Sequence, residues 1–370
     1  MLRIAARSLS LIMLLLLIPL GFTVSSLARQ PKDRQDAQKD GRGMRTRRYL
    51  LLLLTVLLPI FDAPPVWAQS PQPYSYTSIN GTVLTLYPYP GRNIALLVPS
   101  PTLDRPTLTT IVDVFDQVYD YYRQTTGRDP SLYFNYNGLA TIAVVPSTCG
   151  YGCGFLGATG IEIVNAGFDL LYNAVRSNNQ YDQTIFYEFG RNFWFYGDRI
   201  EYKAPNDTGA VTTGYAVFMR FMAMEATGVT GGPFNGYDFL CFKSEVQRLL
   251  DRYLADPSLT WSNTLAIGRA PANPIGLGAT DLFAAFLFEL RQLFGQGFID
   301  RIWKEVGQRP RATTTQDAVD NFILAASAAS GRNLTSLFSD IWRWPVSSRA
   351  RSEASSRFGP PFIDCGTPIR

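Results

Sequence analysis

The chain has 370 residues, 46% apolar and 17% charged, a globular composition with enough aromatic side chains (24 Phe, 19 Tyr, 6 Trp) for a large core. It contains no histidine, which excludes Ser-His-Asp and Cys-His catalysis, imidazole proton shuttles and every histidine-ligated metal site. The net charge of +4 belongs to the start of the chain: residues 1–68 hold ten of the 34 Lys and Arg and four of the 30 Asp and Glu, leaving 24 basic against 26 acidic residues beyond, so no basic face for nucleic acid is indicated.

Two export-like segments come first. Residues 44–68 have a basic start (Arg45, Arg47, Arg48), a short apolar run, a Pro64-Pro65 break and small residues before Gln69, the plan of a signal peptide cut after Ala68. Residues 1–43 repeat that plan from Arg3 to Ala28 and read as an upstream extension, with translation expected to start at Met44. Both apolar runs are shorter than the roughly 20 residues a spanning helix needs, so no stable membrane span is expected in the mature chain. The expected location is extracytoplasmic: periplasm, cell surface or medium.

Residues 69–180 read as a mixed α/β part. Asn80-Gly81 marks a turn between extended segments, and Asn93 to Val98 is an apolar strand. Leu108, Ile111, Val112, Phe115, Val118, Tyr119 and Tyr122 recur at three and four, which predicts a helix over 104–123. LATIAVV (139–145) is a strand, Cys149 to Gly157 a Gly/Cys loop, and GIEIV (160–164) a further strand. Residues 181–345 read as helical, with segments near 183–196, 209–227, 237–254, 279–294, 296–306, 315–329 and 334–343. Residues 346–370 read as an exposed tail. Of the three pairings that Cys149, Cys153, Cys241 and Cys365 allow, Cys149–Cys153 with Cys241–Cys365 is favoured; a four-thiolate zinc site is the rival.

The segment Tyr187-Glu188-Phe189-Gly190-Arg191-Asn192-Phe193-Trp194 carries the argument about function. It resembles the H-E-x-x-H helix of the gluzincin zinc metallopeptidases, in which two histidines on one helix face hold the metal and the glutamate activates water. Thr213-Gly-Tyr-Ala-Val-Phe218 is similar to the E-G-x-A-x-[FY] run of the next helix, Ile161 to Ile163 stands where an edge strand is expected, and Ser327 to Trp342 resembles the family's helical ending. The resemblance covers roughly residues 100–345. It implies a zincin-like α+β fold, a small mixed sheet with helices followed by a mostly helical C-terminal half.

All three metal-ligand positions depart from that family: Tyr187, Arg191 and Thr213 replace His, His and Glu, while Glu188 keeps the general-base position. A guanidinium cannot bind a cation and neutral hydroxyls are poor zinc ligands, so the expectation is a pseudopeptidase with no metal and no cofactor. Glu188 and Arg191, at i and i+3, are expected to form an ion pair in place of the metal. A cleft lined by Tyr187, Glu188, Arg191, Thr213 and the edge strand near Glu162 is expected to hold a peptide or an envelope protein by strand addition. The alternative is a metallopeptidase or other hydrolase using Glu188 with an unconventional or absent metal site, with Glu162, Asp198, Glu201 and Glu225 as candidate acid–base partners. Asp207-Thr-Gly-Ala spells an aspartic-peptidase signature in a single copy; Asp207 as the cap of the next helix is the plainer reading.

Overall fold

The computed structural model describes residues 71–234 and 236–363. The expected upstream extension, the signal peptide and Met44 start, and the Cys241–Cys365 pairing, lie outside the described residues.

The α+β class holds. Strands β1 (Tyr74–Thr77) and β2 (Val83–Pro90) form a hairpin around the Asn80-Gly81 turn and pair antiparallel, with Tyr76 opposite Leu84. β2 pairs antiparallel with β3 (Ile94–Val98), every residue of which is buried. Such a continuous apolar run suits a strand covered on both faces. Helix α1 (Arg105–Thr126) follows, entered through Asp104, whose side chain accepts the Thr107 N–H, and closed by Gly127 at φ 75°. β4 (Asn135–Tyr136) turns into β5 (Leu139–Val145), which lies parallel to β3. β6 (Gly152–Gly154) pairs antiparallel with β7 (Ile161–Val164), itself parallel to β5. The strand order is β1-β2-β3-β5-β7-β6, with β4 paired to β5.

The edge beside the helical half is therefore β6, inside the segment expected to be a Gly/Cys loop, and β7 is an interior strand. Two glycines and a cysteine carry no strand signal; pairing with β7 and the Cys149–Cys153 disulfide (Cα–Cα 5.6 Å) place the segment. Helix α2 (Asn165–Asn178), not expected from the sequence, covers the sheet through Phe168, Leu171, Tyr172 and Val175.

After β8 (Gln180–Tyr181), paired with β9 (Thr230–Gly231), the fold is helical: α3 (Thr184–Asn192), α4 (Ala210–Ala226), α5 (Phe239–Ala255), α6 (Ala279–Phe294), α7 (Gln296–Gln308) and α8 (Thr315–Ser330). α4 is buried on nearly all sides, with α3 and α6 against it. The helix expected over 334–343 is a short π-helical turn, Leu337–Ile341. The tail expected to be exposed contains α9 (Ser348–Phe358), which Ser347 caps and which packs Ala350 and Ala354 on Leu324. Alanines that small make a weak periodic signal. One apolar core runs from Ile94 and Phe115 through Phe189, Tyr215 and Phe286 to Trp342. A smaller cluster (Tyr76, Leu86, Ala95, Leu97, Ala143, Val145) covers the sheet's other face.

Candidate functional site

Helix α3 is held on three sides. Tyr122 Oη of α1 donates to the Phe186 carbonyl at 2.8 Å, and Asn192 Nδ2 donates to the Phe155 and Gly160 carbonyls at 3.0 and 3.2 Å. Against α4 the contact is at backbone range: a Cβ on Gly190 would lie 2.8 Å from Ala216 Cα. β6 lies equally close on another side, where a Cβ on Gly154 would meet the Glu188 carbonyl oxygen at 2.8 Å and Glu188 Oε2 at 3.1 Å. The glycines of β6 thus let a strand edge rest directly on the Glu188 side chain.

That contact takes Glu188 out of water; it is 6% exposed. Burial pushes its carboxyl up from 4.5 to about 7, and the nearby Arg191 charge and the Gly154 backbone N–H offset part of the effect. Arg191 does not pair with it. Its Nη1 donates to Thr213 Oγ1 at 3.3 Å, and its guanidinium lies 5.6 Å from the Tyr187 ring centre. The expected Glu188–Arg191 ion pair is absent among the described residues because the two side chains leave α3 toward different neighbours, Glu188 under β6 and Arg191 toward α4.

The three residues at the positions expected from the resemblance to hold a metal do converge, with Arg191 reaching Thr213 and lying beside the Tyr187 ring. Burial holds the Tyr187 hydroxyl above its ordinary pKa, Thr213 is neutral, and Arg191 offers donors only. This set does not fit a zinc ion. Among the described residues, no three Cys, Asp or Glu side chains gather as a metal site either.

Glu162 is not beside them. Side chains alternate along a strand, and Ile161 and Ile163 face the helices while Glu162 faces the opposite side of the sheet. It is fully buried there and accepts from Tyr76 Oη (3.0 Å), the Ile79 N–H (2.7 Å) and Thr148 Oγ1 (2.7 Å). Its expected place in the cleft is a correction: it clamps the β1–β2 turn. The other acids considered also have partners elsewhere. Asp198 pairs with Arg199 and Arg311, Glu225 with Lys243 and Arg291, and Glu201 accepts from Thr212. Asp207 is exposed, and α4 starts from Gly209 at φ 66° without a cap from any side group.

A cavity of about 590 Å³ opens beside α3, and Tyr187 and Glu188 line it. Its other walls were not anticipated: Tyr151 and Gly152 from the β6 segment, Leu170 from α2, Asp182 and Thr184 at the start of α3, Arg220 from α4, and Pro233 and Phe234 after β9. Arg191 and Thr213, expected in the cleft, are not among its lining residues. One signal was available: Arg220 is the lone charge in the apolar run Val217–Met224.

No family model matches the chain, and no curated protein does. Solved structures similar to it include a functionally unknown conserved protein from Bacillus anthracis str. Ames, at 11% identity and TM-score 0.51, covering 75% of this chain and 53% of that one. A mutant of a functionally unknown conserved protein from the same organism is similar at 13% identity and TM-score 0.50, over 75% and 53%. The catalytic module of the metalloprotease ZmpA from Clostridium perfringens gives 13% identity and TM-score 0.48, over 74% and 48%. The chain thus spans about half the length of the structures it resembles. The likeness is one of fold alone: a mixed sheet with helices, followed by a mostly helical C-terminal half, as expected from the sequence.

Proposed function

We propose that the chain is an exported, peptidase-like protein without metal-dependent catalysis, which holds a peptide or an envelope partner at the cavity beside α3. The observation that carries this reading is the group at the former ligand positions. A guanidinium lies there, hydrogen-bonded to Thr213 and set over the Tyr187 ring, so a fixed positive charge stands among these positions. The Cys149–Cys153 disulfide supports an oxidising location, and no described helix is long and apolar enough to cross a membrane. In this reading Glu188 is a vestigial general base. β6 supports the peptide role, since it is a sheet edge at the cavity mouth and an extended peptide can add to such an edge.

The test is elemental analysis of the full-length protein after zinc loading and dialysis, run with a peptide-library pull-down and a cleavage assay on the retained peptides. Well under one equivalent of zinc, with peptides retained intact, is the expected result. Close to one equivalent, lost on Glu188→Ala, together with cleavage, would overturn it.

A second reading has its own support. A carboxyl that ionises at about 7 and lines a cavity is poised for general acid–base work, and Asp182 lines the same cavity. In that reading the protein is a hydrolase that needs no zinc, and Glu188→Gln abolishes turnover while peptide binding persists.

A further inference from the structure

Arg220 stands in the middle of α4, and its seven neighbours in the run Val217–Met224 are apolar and buried. It is itself 5% exposed. Its Nε is sealed from solvent without a hydrogen-bond partner, and among the described residues no acid reaches it at ion-pair distance. Other partly buried arginines are answered: Arg309 grips Glu353 through both terminal nitrogens (2.8 and 3.2 Å), Arg252 meets Glu245 and Arg291 meets Glu225. Burying a guanidinium without an anion is costly, so a group left in that state needs a reason.

What surrounds Arg220 is aromatic. Its guanidinium lies 4.8 Å from the Phe221 ring centre, 5.1 Å from Phe234, 5.3 Å from Phe242 and 6.0 Å from Tyr187. Ring faces stabilise a cation without neutralising it. Burial lowers its pKa to about 10, which leaves it charged at neutral pH. The nearby acids Asp281 and Asp182 favour its charge through their fields without reaching it, and each accepts a backbone N–H instead: Asp182 that of Thr184 at 2.8 Å and Asp281 that of Gly278 at 3.0 Å. The open side of the cage is the cavity, whose wall adds Leu170 and Pro233.

We propose that this cavity is a receptor for an organic carboxylate, with Arg220 taking the anion and the apolar wall taking a hydrophobic group attached to it. A planar guanidinium fork matches a carboxylate, and a desolvated charge–charge hydrogen bond is the strong kind. One positive charge beside two carboxyls, Asp182 and Glu188, favours a monoanion over a phosphate dianion. That the carboxylate belongs to a peptide rests on the peptide-binding reading above; it is either the peptide's terminal carboxylate or an Asp or Glu side group.

Three small probes separate these cases on the full-length protein by calorimetric titration: N-acetyl-phenylalanine, N-acetyl-glutamic acid α-amide and N-acetyl-phenylalanine amide. The expected result is saturable binding of at least one carboxylate probe, about tenfold or more tighter than the uncharged amide. The tighter of the two carboxylates identifies the source. Arg220→Gln removes that preference, read as the ratio of carboxylate to amide affinity in the same variant. If that variant does not fold, the comparison of probes on the unaltered protein still decides. Equal binding of amide and carboxylates, no saturable binding of any probe, or a preference that survives in a folded Arg220→Gln would overturn the proposal. Failure of these probes leaves zinc uptake and peptide cleavage, which test the broader reading, unaffected.

Discussion

Two glutamates stand on either side of the same strand pair and meet burial in opposite ways. Glu162, in the middle of β7, is fully buried and accepts from a tyrosine, a backbone amide and a threonine. Glu188, beneath β6, is nearly as buried, yet the Gly154 backbone N–H is its main hydrogen-bonding support and a cavity lies beside it. A carboxyl with three donors is a structural clamp, on which those donors depend in turn. A carboxylate with one donor keeps its proton up to neutral pH and remains available to a ligand or a reaction. Burial alone does not separate the two cases; the count of donors does.

The largest expected effect comes from breaking the answered acid. Glu162→Ala strands Tyr76 Oη, the Ile79 N–H and Thr148 Oγ1 in a buried setting, and the expected loss is about 3–5 kcal/mol of unfolding free energy. Urea denaturation monitored by tryptophan fluorescence measures it. A loss below about 1 kcal/mol would mean that the β1–β2 turn does not depend on Glu162, and the contrast between the two acids would collapse.

Glu188 gives the next effect, and its sign depends on pH. Its folded pKa of about 7 lies above the ordinary 4.5. The folded state therefore holds the proton more tightly, its stabilising contribution is fully present below pH 4.5, and it declines as pH rises through 7. Glu188→Gln keeps the shape and removes the ionisation. Relative to the unaltered protein it should gain about 2 kcal/mol more at pH 8 than at pH 5, because each tenfold difference in proton affinity between the folded and unfolded states is worth about 1.4 kcal/mol. Equal differences at both pH values would show that Glu188 ionises as an exposed carboxylate does.

Much of the fold is legible in the sequence, and the places where legibility fails are physical. The runs Ile94–Val98 and Leu139–Val145 announce buried strands, and α1, α4 and α6 to α8 announce themselves by apolar spacing. β6 does not, because Gly152-Cys153-Gly154 has no strand propensity and is placed by pairing and a disulfide. That miss moves the expected sheet edge one strand inward, to β7, and draws Glu162 into a cleft it does not face. The site divides in the same way. Tyr187 and Arg191 share a face of α3 by helix spacing, whereas Thr213 reaches them from α4 through the packing of the two helices. The cavity depends on which loop covers which helix, so Asp182, Arg220 and Phe234 are invisible as a group. Arg220 alone leaves a trace, as one charge in eight otherwise apolar helical residues.

The smallest effect sharpens the contrast between the glutamates most directly. Arg191 is partly buried, bonds to Thr213, and lowers the Glu188 pKa through its field without touching it. Arg191→Met keeps much of the side-group length and removes the charge. The stability cost should stay below about 1 kcal/mol, since one long hydrogen bond to a hydroxyl is lost and no acid is left unpaired. The Glu188 carboxyl, followed by its own carbon resonance during a pH titration, should move upward from about 7 as the favourable field disappears. A large destabilisation would mean that Arg191 holds α3 to α4. An unchanged titration would mean that solvent already screens Arg191 from Glu188, leaving burial under β6 as the whole cause of the raised pKa.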